Sequence, residues 1–210
     1  MGAGNRALKA MKNLFTKTSP MIAVSGSLKD LSFPIYGTPK IRGIRMLTVL
    51  HEGRVVPVTR GGEVVKNKEL LAFFENIPAG FDGEFSIGEI PRTGFIDAGG
   101  HAKATAFAFS ENATDNWTYT VFDTFLCPAL PYKSRLRAIE GLFNDKIIPA
   151  IEYRIRITDA SLLYHENEAV GYYEALIKRG FEGAVFRNPR GEYIFGNSNL
   201  TDCGMVKVKP

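Results

Sequence analysis

One lysine, two glutamates and a lysine pair are the residues of this chain whose types and surroundings could do chemistry. Lys40 lies in TPKIRGIRML, residues 38–47, where Lys40, Gly43 and Arg45 spell K-x-x-G-x-R just before an apolar run. An amine attacks an electrophile only when it is neutral, and a free lysine, with a pKa of ~10.4, is mostly charged at neutral pH. Nearby cations and desolvation both favour the neutral form, and Arg42 and Arg45 could supply the cations. Gly43 would let the backbone approach a ligand closely. The same six residues also fit a solvated basic turn. Glu84 sits in the middle of the apolar FDGEF, residues 81–85, and Glu182 near the start of FEGAVFR, residues 181–187. In the terminal MVKVKP, strand alternation puts Lys207 and Lys209 on one face. Each feature also has a plain reading: an edge-strand charge, a turn, a solubilising tail. Together and in this order they form one signal.

The elements that must position these residues read mostly as strands. RMLTVL (45–50), RVVPVT (54–59), GEFSI (83–87), TYTVFDTF (118–125) and GAVF (183–186) are β-branched or aromatic, and Gly or Pro flanks several of them. Glu52-Gly53 reads as a hairpin tip. Residues 68–76, 132–144 and 167–179 carry helical spacing, and the last ends with Lys178 and Arg179 before Gly180. NRALKAMKNLFTK, residues 5–17, reads as a short basic amphipathic helix, either docked on the body or reaching toward a polyanion. The Gly- and Ala-rich stretch 94–110 gives no clear signal. Strands outnumber helices without regular alternation, so the expected class is α+β with largely antiparallel sheets.

With 210 residues the chain can build one substantial core, and its 45% hydrophobic and 23% charged content is that of a globular domain. No run approaches the ~20 apolar residues of a membrane span, and no secretory leader is visible, so the cytoplasm is the expected location. Cys127 and Cys203 show no metal-ligand spacing and read as free thiols. The net charge of +4 mildly favours a phosphate-rich partner.

These motifs resemble, in order, those of the nucleotidyltransferase (adenylation) domain of ATP-dependent DNA ligases, the compact ligases of tailed phages in particular. PKIRGIR resembles the motif that carries the nucleotide-accepting lysine. VTR (58–60), FDGEF, VFDTF (121–125), FEGAVFRNP and MVKVKP resemble the motifs that follow, and residues 20–40 resemble the approach segment of phage ligases. The resemblance implies an α+β, ATP-grasp-like fold with two antiparallel sheets around an ATP cleft and helices outside. It implies ATP and Mg²⁺ as cofactors and a monomer acting on nicked duplex DNA, in the host cytoplasm if the protein is viral. Lys40 would become lysyl-AMP. Thr38, Pro39, Arg45, Arg60, Glu84, Phe122, Arg187, Lys207 and Lys209 would contact ATP. Phe122 would lie against adenine, or else simply fill the core. Glu84 and Glu182 would serve the metal, and Arg42, Arg60 and Arg187 the DNA. RNA ligases and capping guanylyltransferases share the motifs, so an RNA ligase or another covalent nucleotidyltransferase is the alternative.

The chain departs from the pattern at three places. Arg42 stands where the motif usually has Asp, so either the site is rewired or its chemistry is impaired and the protein binds nucleic acid without catalysis. In EYIFGNSNL, residues 192–200, Ile194 and Asn197 replace an expected Lys and Arg. MVKVKP ends the sequence, so the expected organisation is a basic arm over 1–19 and an adenylation domain over 20–210, with the OB-fold domain of full ligases absent.

Overall fold

The computed structural model describes residues 19–88, 100–144, 154–198 and 204–210. The helix expected over 5–17 lies outside them, as does Cys203. Among the described residues there are ten strands: β1 (Val24–Ser25), β2 (Ile35–Pro39), β3 (Ile44–His51), β4 (Arg54–Thr59), β5 (Phe81–Ile87), β6 (Trp117–Thr124), β7 (Ile155–Ile157), β8 (Ser161–Leu163), β9 (Ala184–Arg187) and β10 (Met205–Val208). The helices are α1 (Lys68–Phe74), α2 (Gly100–Phe109), α3 (Tyr132–Asn144) and α4 (Glu166–Lys178). No helix among the described residues is long and apolar enough to cross a membrane.

The strands form two five-stranded sheets, in the orders β1-β10-β9-β2-β8 and β4-β3-β5-β6-β7. Pairing is antiparallel except for the edge pairs β1–β10 and β6–β7. The α+β class and the two sheets agree with the sequence reading. Each sheet turns one face to helices. Phe81, Phe85, Met46, Tyr119 and Val121 pack under Leu70 and Phe74 of α1, Phe107 of α2 and Ile139 of α3. Ile35, Ala184, Phe186, Val206 and Val208 pack under Ala169 and Leu176 of α4. With a side-chain period of two, the alternate residues must face the other way. Arg45, Glu84, Phe122, Val185, Arg187, Met205 and Lys207 are those alternates, and all of them line one cleft.

Two connections order the sheet that carries Arg45 and Glu84. Glu52 (φ 49°) and Gly53 (φ 80°) make the tight β3–β4 hairpin expected from the sequence. Asn67 caps α1, accepting from the Leu70 N–H, while its amide donates to the carbonyls of Phe107, Ser110 and Ala113. One buried asparagine thereby fixes the end of α2 against the start of α1.

Candidate active site

The cleft measures about 540 Å³, within the range of roughly 300–1,000 Å³ typical of small-molecule sites. Both sheets contribute to it. Thr38 and Pro39 end β2, and Lys40 follows at once. The β2–β9 ladder continues one step past the strand: Lys40 N–H donates to Gly183 O (2.9 Å), and Glu182 N–H donates to Lys40 O (3.2 Å). Lys40 and Glu182 are therefore neighbours by backbone pairing, although 142 residues separate them. Gly183, at φ +146°, leaves no room for a side chain, because a Cβ there would stand 2.1 Å from Val208 O. Gly43 has the same kind of reason: a Cβ there would meet Phe85 O at 2.1 Å. It lines the cleft, but its smallness serves the close approach of β3 to β5.

The mouth holds a three-residue charge cluster. Lys40 Nζ meets Glu182 Oε2 at 2.5 Å, and Lys209 Nζ pairs with the other oxygen of the same carboxylate. Burial pushes the Glu182 pKa up, but the bonds from Lys209 and Lys40 outweigh it and hold the group below its ordinary value. Lys207 and Lys209 both line the cleft, as alternation requires.

The wall is built differently. β3 and β5 pair Arg45 opposite Glu84. Arg45 grips the fully buried Asp82 with Nε (2.7 Å) and Nη2, and gives Nη1 to Met21 O. Tyr193 Oη donates to Asp82 Oδ2 (2.6 Å). A second buried set lies behind it. Asp123 accepts from Arg135 Nε (2.7 Å) and Nη2 (3.1 Å), and from Arg187 Nη1 (2.7 Å). Between the two stands Phe122. The register shifts so that Asp82 opposes Asp123 and Gly83 opposes Val121, which leaves Phe122 as an extra residue with no partner on β5. Its ring lies 5.3 Å from the Arg45 guanidinium and 5.0 Å from that of Arg187. Glu84 is half-buried beside them. Desolvation pushes its pKa up to about 7, against the pull of Lys40 and Arg45.

All ten residues expected at Lys40 and around ATP line this one cleft. Glu182 stands at its mouth, bonded to two of them. Arg42 is exposed and outside the lining. Arg187 is placed in the cleft wall with a side chain only 6% exposed, so it faces the cavity and Asp123 rather than an outer surface. Sequence reasoning missed Asp82, Asp123, Arg135 and Tyr193, and also Glu63, His101, Thr105 and Phe109, which line the cleft too. The aspartates had a visible signal: each is an acid directly after a phenylalanine inside a strand. A Mg²⁺ ion usually takes one or two carboxylates plus substrate phosphate oxygens. Glu84 and Glu182 suit that demand. Among the described residues no group of three or more His, Cys, Asp or Glu gathers into a cage.

No protein-family model matches the chain, and no curated protein matches it. Solved structures do. The Chlorella virus DNA ligase–adenylate is 25% identical over 91% of this chain and 67% of its own length, with a TM-score of 0.76. A Lig E DNA ligase is similar at 18% identity over 90% of this chain and 68% of its own, TM-score 0.69. The ATP-dependent DNA ligase of bacteriophage T7, solved with ATP, gives 16% over 92% of this chain and 69% of its own, TM-score 0.65. The chain thus spans about two thirds of the ligases it resembles, and its fold is the nucleotidyltransferase (adenylation) domain of ATP-dependent DNA ligases.

Proposed function

We propose that this chain carries the adenylation chemistry of an ATP-dependent DNA ligase, with Lys40 as the nucleophile and nicked duplex DNA as the acceptor. The observation that carries the reading is the cluster at the cleft mouth: Lys40 held on Glu182 at 2.5 Å, with Lys209 on the same carboxylate and Lys207 beside it. In the first step the Lys40 amine would form a bond to the α-phosphorus of ATP, the bond to pyrophosphate would break, and the amine would lose a proton. The AMP would then pass to a 5′-phosphate, and a 3′-hydroxyl would displace it as the strands join.

The residues present do the positioning and charge neutralisation that such transfers depend on. Lys207 and Lys209 would face the α-phosphate. Ionised Glu84 would accept from the ribose hydroxyls. Phe122, displaced from the ladder into the cleft, would lie against adenine, with Thr38 and Pro39 at its edge. Arg60, at the end of β4, would meet phosphate or DNA. Mg²⁺, where bound, would neutralise phosphate charge, with Glu182 and Glu84 as the carboxylates able to hold it. The ion pair between Lys40 and Glu182 would have to open before attack.

The test uses ATP labelled on the α-phosphate, Mg²⁺, denaturing electrophoresis and intact mass. The parent should gain one AMP, and Lys40→Ala none. Labelling that survives in Lys40→Ala would sink the assignment. Nicked DNA and nicked RNA offered side by side then identify the acceptor; preference for RNA would move the reading to an RNA ligase.

A further inference from the structure

We infer that Tyr193 is a positioning residue for the nucleotide cleft: its hydroxyl seats Asp82, and Asp82 holds Arg45 beside Phe122. The inference rests on the proposed reading of the cleft as a nucleotide site. Tyr193 belongs to a segment with no helix or strand, and it does not line the cleft. Both flanks of the segment are nevertheless fixed. Gly191 O accepts from Tyr132 N–H (2.9 Å) and from Arg135 Nη1 (3.0 Å), and Tyr193 N–H donates to Pro128 O (2.8 Å). On the other side, Ile22 N–H donates to Gly196 O (2.8 Å), and Ser198 N–H donates to Ile22 O (2.9 Å). The ring is 3% exposed and packs among Met21, Met205 and Phe125.

The hydroxyl is therefore delivered by a braced backbone. It donates to Asp82 Oδ2 at 2.6 Å and accepts from Met21 N–H at 3.3 Å. Met21 also supplies the carbonyl that takes Arg45 Nη1. Two segments remote in sequence, around Met21 and Tyr193, thus converge on one arginine. A guanidinium has five N–H donors, and three of those on Arg45 are committed to Asp82 and Met21. Among the described residues the remaining two meet no acceptor, and Arg45 lines the cleft. A carboxylate gripped by one guanidinium alone can rotate with it. A third donor from a rigid ring fixes the plane of Asp82, and so the plane of Arg45. The segment in which Ile194 and Asn197 bring no charge contributes instead through a hydroxyl behind the wall.

The test separates binding from transfer on the full chain. Binding of α,β-methylene-ATP, which cannot transfer AMP, is measured by calorimetry. Lys40–AMP formation from ATP is measured by mass. For Tyr193→Phe, Kd and KM should rise together about tenfold while kcat stays within about twofold and melting remains cooperative. Phe195→Ala, whose ring lies 5.2 Å from that of Tyr193 but which carries no hydroxyl, should keep the parent Kd. A lower melting temperature with unchanged Kd would reduce Tyr193 to a packing role and overturn the inference; so would an equal loss in Phe195→Ala. In an Arg45→Lys background, Tyr193→Phe should add nothing, and additive losses would overturn it too. A parent that binds the analogue but forms no Lys40–AMP would remove the transfer reading alone. A parent that binds no analogue would overturn both.

Discussion

Two kinds of cation–carboxylate contact serve the cleft, one at its mouth and one behind its wall. At the mouth, Glu182 joins two lysines, with Lys40 and Glu182 each 21% exposed and Lys209 47% exposed. In the wall, Asp123 joins two arginines, and Arg135, Asp123 and Arg187 are 2%, 1% and 6% exposed. Lysine is a flexible point charge that can leave one anion for another. Arginine is a planar fork that stays charged and holds a carboxylate by two bonds. The mouth therefore uses the residue whose charge and position can change, and the wall uses the residue whose charge and position cannot. Charge is exchangeable where phosphate would enter and fixed where the cavity must keep its shape.

The largest expected effect comes from the wall. Asp123→Ala leaves two buried guanidiniums without their shared carboxylate. Breaking a buried pair from one side costs about 3–5 kcal/mol, and each kcal/mol lowers the melting temperature of a domain this size by roughly 2–4 °C. A calorimetric loss of about 10 °C or more is expected. A shift of 2 °C or less would erase the distinction between wall and mouth.

Glu182→Gln should do the reverse. Glu182 and both its partners keep contact with water, so thermal stability should move by less than about 1 kcal/mol. AMP transfer to Lys40 should nevertheless fall by about 10²-fold, because the group that places the amine and is available to Mg²⁺ is gone. The folded Glu182 pKa lies below its ordinary value. Its small stabilising contribution is therefore present above the unfolded pKa, and it is lost as the pH falls through the folded one. A Gln variant with normal transfer rates would make the mouth cluster a surface ornament.

How much of this was legible beforehand depends on how far apart the partners lie. Strand alternation alone put Lys207 and Lys209 on one face, and Glu84 stood out as an acid in the middle of FDGEF. The β3–β4 hairpin and α4 were readable from Glu52-Gly53 and from Lys178-Arg179-Gly180. What stayed hidden was side-chain reach. Tyr193 meets Asp82 across 111 residues and Arg187 meets Asp123 across 64, and no local pattern records either contact. The helix α2 was hidden for a different reason. ATAFAF alternates like a strand, and the helix emerges only because Ala104, Phe107 and Ala108, spaced at i, i+3 and i+4, are buried against the sheet. β7 and β8 have three residues each, too few to show a period.

Glu84 sits between the two regimes and gives the third, smaller effect. Its folded pKa of about 7 is above the ordinary 4.5. The protonated form is favoured in the fold, so its stabilising contribution is complete below about pH 4.5 and is lost as the pH rises through about 7. Binding to ribose hydroxyls needs the ionised acceptor, so AMP transfer should climb over that same pH window, about tenfold between pH 6 and 8. Activity and stability then move in opposite directions. In Glu84→Gln the climb should disappear; a limb that persists there belongs to another group.

The smallest effect is expected at the residue that looked most disruptive in the sequence. Arg42 replaces the acid usual two residues after the lysine, and on sequence alone this could disarm the site. It is exposed, follows the buried Ile41, and is absent from the cleft lining. An exposed charge acts through the high dielectric of water, and salt weakens it further. Lys40, by contrast, is placed by two backbone hydrogen bonds to Glu182 and Gly183 that do not involve the Arg42 side chain. Arg42→Asp should therefore change AMP labelling of Lys40 by less than about threefold at 0.15 M salt, with a larger change at low salt. The matching measurement is the salt dependence of nicked-DNA binding, where loss of one phosphate-contacting cation should lower the log–log slope by about 1. A large gain in labelling with no change in that slope would place Arg42 among the groups that govern the mouth, and would mean that its lysines answer to a fourth charge.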